Sequence, residues 1–212
     1  MNFKINYKKI YNKSHNDKHS YGTGYNKTDT SNLIIKELIE WLNENNSKNI
    51  IDYGCGKGRL VDLLREKKFN CFGFDLGVPI EKIPKHIREF ISTDEEKFFN
   101  KKIDTIICKD VMEHIFEEDI DTLFSDFTQY QAKNMYFLIS TVLAKTLILE
   151  DVNAHVCVHS PTWWVDKFKN SFKDYKISYN TQLISPDRKL KGPNKYPKGT
   201  KEDIVIIKLT KN

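Results

Sequence analysis

The sequence offers little that would hold it together covalently. Four of its 212 residues are cysteine (Cys55, Cys71, Cys108 and Cys157), and no two form a C-x-x-C pair. A disulfide framework or a zinc knot is therefore not expected, and buried reduced thiols are. Long apolar runs are also missing: the stretches 103–108, interrupted by Asp104, and 204–207 fall far below the roughly 20 residues that cross a bilayer. The N-terminus, MNFKINYKKIYNKSH, is basic, but it has no continuous apolar core and no small-residue cleavage site. It does not read as a secretory signal, and the expected compartment is the cytoplasm. Charge of one sign is scarce as well. The 34 Lys and Arg against 29 Asp and Glu leave only +5, which sits at the two ends of the chain. Such an excess permits a phosphate-bearing partner without demanding one.

No internal repeat and no Pro, Gly or Ser-rich linker divides the chain, and a chain this long can bury a sizeable core unaided. What is present is an alternation of short β-branched runs with amphipathic helical stretches, the pattern of a mostly parallel sheet covered by helices on both faces. Residues 1–30 are polar and rich in Lys, Asn and Tyr, and read as an arm with little regular structure. Residues 31–212 read as one domain. Thr30 and Ser31 suit the N-cap of a helix carrying Ile34, Leu38, Trp41 and Leu42. Strands are expected at 49–53, 71–75, 89–92, 103–108 and 135–140, then near 176–181 and at 204–209. A helix is expected from about Val111, with Phe116, Ile120, Leu123, Phe124 and Phe127 on one face. Another opens at Ser160-Pro161, with Ser as N-cap and Pro in the first turn.

The strongest local signal is a strand, then Asp52-x-Gly54-Cys55-Gly56-x-Gly58, then a helix. Glycines there allow a tight strand-to-helix turn and close approach of a ligand to the backbone. Asp75 ends the next strand 17 residues after Gly58, near the roughly 20-residue offset of an acid that binds ribose hydroxyls. A dinucleotide loop places its third glycine one residue later than this string does. In an open parallel sheet, ligands bind outside the carboxyl ends of the strands, and Gly54 to Gly58, Asp75, Asp94, Asp110 to His114 and Ser140-Thr141 all fall at such ends.

The string Asp-x-Gly-Cys-Gly-x-Gly resembles motif I of the class I S-adenosylmethionine-dependent methyltransferases, and the resemblance covers roughly residues 30–212. It implies an α/β fold, a Rossmann-like three-layer sandwich with a mostly parallel seven-stranded sheet and an antiparallel last strand. It also implies S-adenosyl-L-methionine as cofactor. Asp75, with Leu76 beside it, matches the acid that binds the adenosyl ribose, and Asp94 matches an acid beside the adenine amine. The segment 103–115, Ile-Asp-Thr-Ile-Ile-Cys-Lys-Asp-Val-Met-Glu-His-Ile, looks like the family's fourth strand and its Glu-His-Ile continuation. The expected cofactor set is Asp52, Gly54, Cys55, Gly56, Gly58, Asp75, Leu76, Asp94, Lys109 and Asp110, with Tyr25 reaching over from a Tyr21-Gly22-Thr23-Gly24-Tyr25 lid.

His114 and His155 are the expected general bases for removing an acceptor proton. Asp110, Glu113 and His114 stand at i, i+3 and i+4, a spacing that lets one helical face offer a divalent cation two carboxylates and an imidazole. A similar E-x-x-E-H arrangement with a later His occurs in metal-dependent methyltransferases of the small-RNA 3′-end and ubiquinone-pathway types. Here Asp110 replaces the first Glu, and the later His is His155 or His159. No metal is the favoured expectation, because many relatives with only Glu-His bind none. The acceptor is expected to be a small metabolite, such as a sugar or phosphorylated intermediate, methylated on O or N. An RNA 2′-hydroxyl is the second choice, and nicotinamide-dependent oxidoreduction on the same sheet is the rival chemistry.

Overall fold

The computed structural model of the chain describes residues 5–16, 32–144, 147–148, 152–182 and 203–212. Its elements run α1 (Tyr7–Asn16), α2 (Asn32–Glu44), β1 (Asn49–Tyr53), α3 (Arg59–Glu66), β2 (Asn70–Phe74), β3 (Ile91–Ser92), α4 (Glu96–Phe99), β4 (Thr105–Lys109), α5 (Ile120–Gln129), β5 (Asn134–Ser140), β6 (Leu147–Ile148), β7 (Val152–Asn153), α6 (Pro161–Ser171), β8 (Tyr175–Gln182) and β9 (Ile204–Lys211). Seven strands form one sheet in the order β3-β2-β1-β4-β5-β9-β8. β1, β2, β3, β4 and β5 pair in parallel, and β9 runs antiparallel to both β5 and β8. This is the Rossmann-like sheet that the resemblance implied.

Alternation along the strands sends side chains to two cores. Ile50, Tyr136 and Leu138 face one layer with Leu38 and Leu42 of α2 and Leu64 of α3. Ile51, Phe137 and Ile139 face the other, with Phe127 of α5 and Trp164 and Phe168 of α6. All seven residues of β5 are buried, as expected for a strand paired on both edges and covered on both faces. β8 is a half-exposed edge. Ser160 caps α6 as its sequence suggests, its hydroxyl accepting the Trp163 N–H at 3.2 Å with Pro161 in the first turn. All four cysteines are free thiols. No helix among the described residues is long and apolar enough to cross a membrane.

The structure departs from the sequence reading in four places. The N-terminal arm is not irregular throughout, since α1 occupies Tyr7–Asn16. The third strand is two residues long, because Arg88–Phe90 is a 3-10 turn. The helix expected from Val111 starts only at Ile120, preceded by 3-10 turns at Met112–His114 and Glu117–Asp119. Between those turns Ile115 and Phe116 are extended, and the Phe116 N–H donates to the Tyr7 hydroxyl at 2.9 Å instead of to a helical carbonyl. Asp110, Glu113 and His114 therefore do not share a helical face. The stretch after β5, expected to be irregular, contains the short β6–β7 ladder. Thr30, Ser31, the segment from Tyr21 to Tyr25 and the basic loop 185–193 lie outside the described residues.

Phe168 is fully buried, its ring centroid 4.5 Å from that of Phe137 and 4.7 Å from that of Phe124. Phe168→Ala opens a cavity between α6 and the sheet and is expected to lower unfolding free energy by about 3–5 kcal/mol in urea denaturation.

Candidate active site

The turn after β1 is fixed by its backbone. The Gly54 and Cys55 N–H groups both donate to the Phe74 carbonyl, at 2.7 and 3.0 Å, which ties the turn to the end of β2. Gly54 has φ +80°, and a Cβ there would lie 2.3 Å from Cγ2 of Val111. Gly58 has φ +81° and stands at the N-cap of α3, where a Cβ would meet Ile91 Cδ1 at 2.2 Å. Only glycine satisfies both the dihedral and the contact at these positions.

Asp75 completes the turn. Its Oδ2 accepts the Gly56 N–H at 2.9 Å, and its Oδ1 accepts the N–H groups of Gly77 and Val78 at 2.9 and 2.8 Å. One carboxylate thus joins the loop after β1 to the loop after β2. Asp110 lies at the end of β4 with φ +55°, a strained value for a residue with a side chain. Its N–H donates to the Leu138 carbonyl at 2.9 Å, and its carboxylate is ion-paired with Lys109.

These ends enclose a cavity of about 170 Å³. Of the residues expected to bind the cofactor, Gly54, Gly56, Asp75, Leu76 and Asp110 line it, and so does His114, one of the two expected bases; His155 is not part of the lining. Asp52, Cys55, Gly58 and Lys109 support the turn and strand ends behind it and are not part of the lining. Asp94 is exposed and away from the cavity: its Oδ1 accepts the Glu96 N–H at 3.2 Å, so it closes the turn leading into α4. Tyr25 lies outside the described residues.

Sequence reasoning missed Tyr7 and Tyr11 of α1, which form part of the wall together with Phe74, Ile115 and Leu123. The signal available was Tyr7, Ile10 and Tyr11 at i, i+3 and i+4, an apolar stripe within a basic arm. Tyr7 donates its hydroxyl to Asp119 Oδ2 at 3.0 Å, and the Ile5 N–H reaches the same oxygen at 3.3 Å. The Tyr11 hydroxyl donates to the His114 carbonyl at 2.8 Å. These bonds pin α1 across the segment between β4 and α5.

His114 and His155, the two expected bases, meet edge to face with ring centroids 4.8 Å apart. His114 places Nδ1 2.7 Å from the Ala154 carbonyl, and His155 places Nδ1 2.5 Å from the Val142 carbonyl. A carbonyl only accepts, so Nδ1 is the donor in both rings. Burial and then the neighbouring His155 push the His114 pKa down to about 4, so its imidazole is neutral at physiological pH.

Glu113 is fully buried. Its Oε1 accepts the Ser140 N–H at 3.2 Å, while Oε2 has no hydrogen-bond partner among the described residues. Ligand atoms of Glu113, His114 and His155 all lie within 4.8 Å of one another. The structure thus gathers Glu113, His114 and His155, whereas the sequence spacing pointed to Asp110, Glu113 and His114.

The sheet order, the glycine turn and the acid that ties it define the class I fold of S-adenosylmethionine-dependent methyltransferases. The chain belongs to the methyltransferase-domain family, whose model matches residues 28–179. Over 152 residues it is 28% identical to a ubiquinone biosynthesis O-methyltransferase of Rickettsia canadensis, a match covering 67% of this chain and 62% of that protein. Over 137 residues it is 26% identical to ribosomal RNA small subunit methyltransferase A of Fusobacterium nucleatum, covering 64% of this chain and 46% of that one. The chain therefore spans between about half and three fifths of the length of these relatives. The crystal structure of a SAM-dependent methyltransferase from Archaeoglobus fulgidus superimposes with a TM-score of 0.58 at 14% identity, over 86% of this chain and 95% of that one.

Two outcomes follow from this geometry. Asp75→Ala removes the acceptor of three backbone N–H groups and is expected to weaken S-adenosylhomocysteine binding at least about tenfold by calorimetry, since bonds to a charged acceptor contribute about 1.5–3 kcal/mol. The second concerns Asp52, whose pKa burial pushes up to about 7, against the opposing charge of Lys109 and with help from Asp75 and Asp110. Between about pH 4 and pH 7 the folded state holds a proton that the unfolded chain releases, so stability falls as pH rises across that window. Glu95 is pushed up to about 7, first by burial and then by Asp126, and adds to the same slope. Asp52→Asn is expected to flatten, without abolishing, the pH dependence of denaturation of the cofactor-free protein. Its share is about 4 kcal/mol at most.

Proposed function

We propose that the protein transfers the sulfonium methyl group of S-adenosylmethionine to a hydroxyl oxygen of a small, largely apolar metabolite. The observation that carries this reading is the neutral His114 imidazole lining the cavity, with His155 packed edge to face behind it, beside walls made of Tyr7, Tyr11, Phe74, Ile115 and Leu123. Such walls suit a flat or aliphatic acceptor better than a sugar or a phosphorylated intermediate. The relationship to a ubiquinone biosynthesis O-methyltransferase supports a hydroxyl acceptor.

In this reading Asp75 and the glycine turn hold the adenosyl end, and Asp110 stands at the mouth of the same crevice. The hydroxyl oxygen attacks the methyl carbon in line with the sulfur. The carbon–sulfur bond breaks as the carbon–oxygen bond forms, its electron pair stays on sulfur, and the hydroxyl proton passes to His155 or His114. The leaving group is already activated by its positive charge, so the protein contributes orientation and proton removal.

Glu113, His114 and His155 also fit a divalent cation. The Glu113 Oε2, without a partner among the described residues, and the two Nδ1-anchored imidazoles form the donor set that carbonyl-oriented histidines usually accompany. A bound cation would lower the pKa of the acceptor hydroxyl. The same donors would serve an RNA 2′-hydroxyl, a reading favoured by the ribosomal RNA methyltransferase relative.

S-adenosylhomocysteine is expected to raise the melting temperature where NAD and NADP do not. Labelled methyl is expected to pass to hydroxylated aromatic acceptors and not to an RNA oligonucleotide. His155→Ala is expected to lower kcat by about 10²–10⁴ with S-adenosylhomocysteine affinity unchanged. Full turnover in that variant would remove His155 from the mechanism, and methyl transfer to RNA alone would replace the small-molecule reading.

A further inference from the structure

A second group of metal-ligating side chains lies next to the imidazole pair and takes no part in the chemistry above. His155, Cys157 and His159 occupy alternate positions, the spacing that places side chains of an extended segment on one face. Opposite them runs the segment carrying Glu113, His114 and Glu117, and the Cys157 N–H donates to the Glu113 carbonyl at 3.0 Å, which fixes the two segments against each other. Six side chains fall into two triplets: Glu113, His114 and His155, a group that reaches the cavity through His114, and Glu117, Cys157 and His159 beyond it. Ligand atoms of the outer triplet all lie within 4.8 Å of one another.

We propose that Glu117, Cys157 and His159 form a binding site for a borderline-soft divalent cation of the zinc type, separate from the triplet at the cavity. Thiolate, imidazole and carboxylate are the three ligand types zinc takes, and a thiolate selects it over magnesium or calcium. Three protein ligands leave a position for water, and solvent reaches this one because the Glu117 side chain is 58% exposed.

Each ligand is held in place by something other than a metal. His159 stacks on Trp163 with centroids 3.7 Å apart and rings 12° from parallel, which sets the plane of the imidazole. Its Nε2 lies 2.9 Å from Glu117 Oε2, a contact in which a cation would replace the shared proton. Cys157 is 1% exposed, and its sulfur has no hydrogen-bond partner among the described residues. A buried thiol with no partner, facing an imidazole and a carboxylate, gains its missing interaction by ligation. A thiol must lose its proton to ligate, so binding a cation sends that proton to solvent. Because Cys157 and His159 flank α6 and follow His155 by two and four residues, a bound cation would brace the segment that carries His155.

The test uses the chelator-treated full chain titrated with Co²⁺, without cofactor or acceptor, so that it stands apart from the methyl-transfer reading. Ligation by Cys157 is expected to produce a near-ultraviolet thiolate-to-cobalt charge-transfer band. That band should be displaced by Zn²⁺ and accompanied by release of a proton. The cavity triplet has no sulfur and gives no such band. Cys157→Ser is expected to abolish the band. His159→Ala, a change at a partly exposed position that spares the core, is expected to weaken Zn²⁺ binding at least about tenfold. Cobalt binding without a sulfur band, a band that persists in Cys157→Ser, or unaltered zinc affinity in His159→Ala would each overturn the proposal.

Discussion

The Asp75 carboxylate is the constraint on which the candidate site depends. It accepts backbone N–H groups from Gly56 on one loop and from Gly77 and Val78 on the next, so two strand ends meet through a single charged side chain. Without it, the glycine turn would keep its bonds to Phe74 but lose the restraint at Gly56, the glycine where a Cβ would meet nothing. Hydrogen bonds hold all three glycines, Gly54 through Phe74, Gly56 through Asp75 and Gly58 through Cys55, and at Gly54 and Gly58 the packed Val111, Ile87 and Ile91 side chains also leave no room for a Cβ.

A second anchoring point lies across the cavity. Asp119 is fully buried and accepts both the Tyr7 hydroxyl and the Ile5 N–H, while the Tyr7 hydroxyl in turn accepts the Phe116 N–H. The segment from Asp110 to Asp119 would otherwise continue into α5 as helix. The chain is extended at 115 and 116 where the Phe116 N–H bonds to Tyr7 of α1, far away in sequence, and the His114 carbonyl just before it accepts the Tyr11 hydroxyl. The position of His114, and with it the partnership with His155, follows from that exchange of local for distant hydrogen bonds.

The parts of the fold that were legible in the sequence are those governed by short-range pattern. The short apolar strands at residues 50–53 and 135–140, the glycine turn and the Ser160-Pro161 cap were readable because propensity, burial and dihedral needs agree there. The antiparallel seventh strand came from the family resemblance, since nothing in residues 204–209 by itself states its direction. The site was legible at Gly54, Gly56, Asp75, Leu76, Asp110 and His114, where strand ends dictate position. It was not legible at Tyr7 and Tyr11, whose role needs a contact across more than a hundred residues. The grouping of Glu113 and His114 with His155 was in reach only through the family resemblance, which left His155 and His159 open, and the shared face with Asp110 failed because helical spacing was applied to a segment of 3-10 turns. Asp94 shows the converse: an acid at the right offset serves the backbone of its own turn.

The placement of β9 between β5 and β8 also bears on how the chain folds. Strands β1, β2, β3, β4 and β5 follow one another closely and can assemble as residues 49–140 become available. The β8 edge, by contrast, has no partner in the sheet until residues 204–211 reach it, about seventy residues after the end of β5. Closure of that side is a high-contact-order event and sets a slow limit on folding. Until then the edge of β5, buried along its whole length in the finished sheet, stays open to pairing with other chains. The half of the domain that carries the glycine turn is thus the early-forming half, and the side opposite it is where misassembly during synthesis would begin.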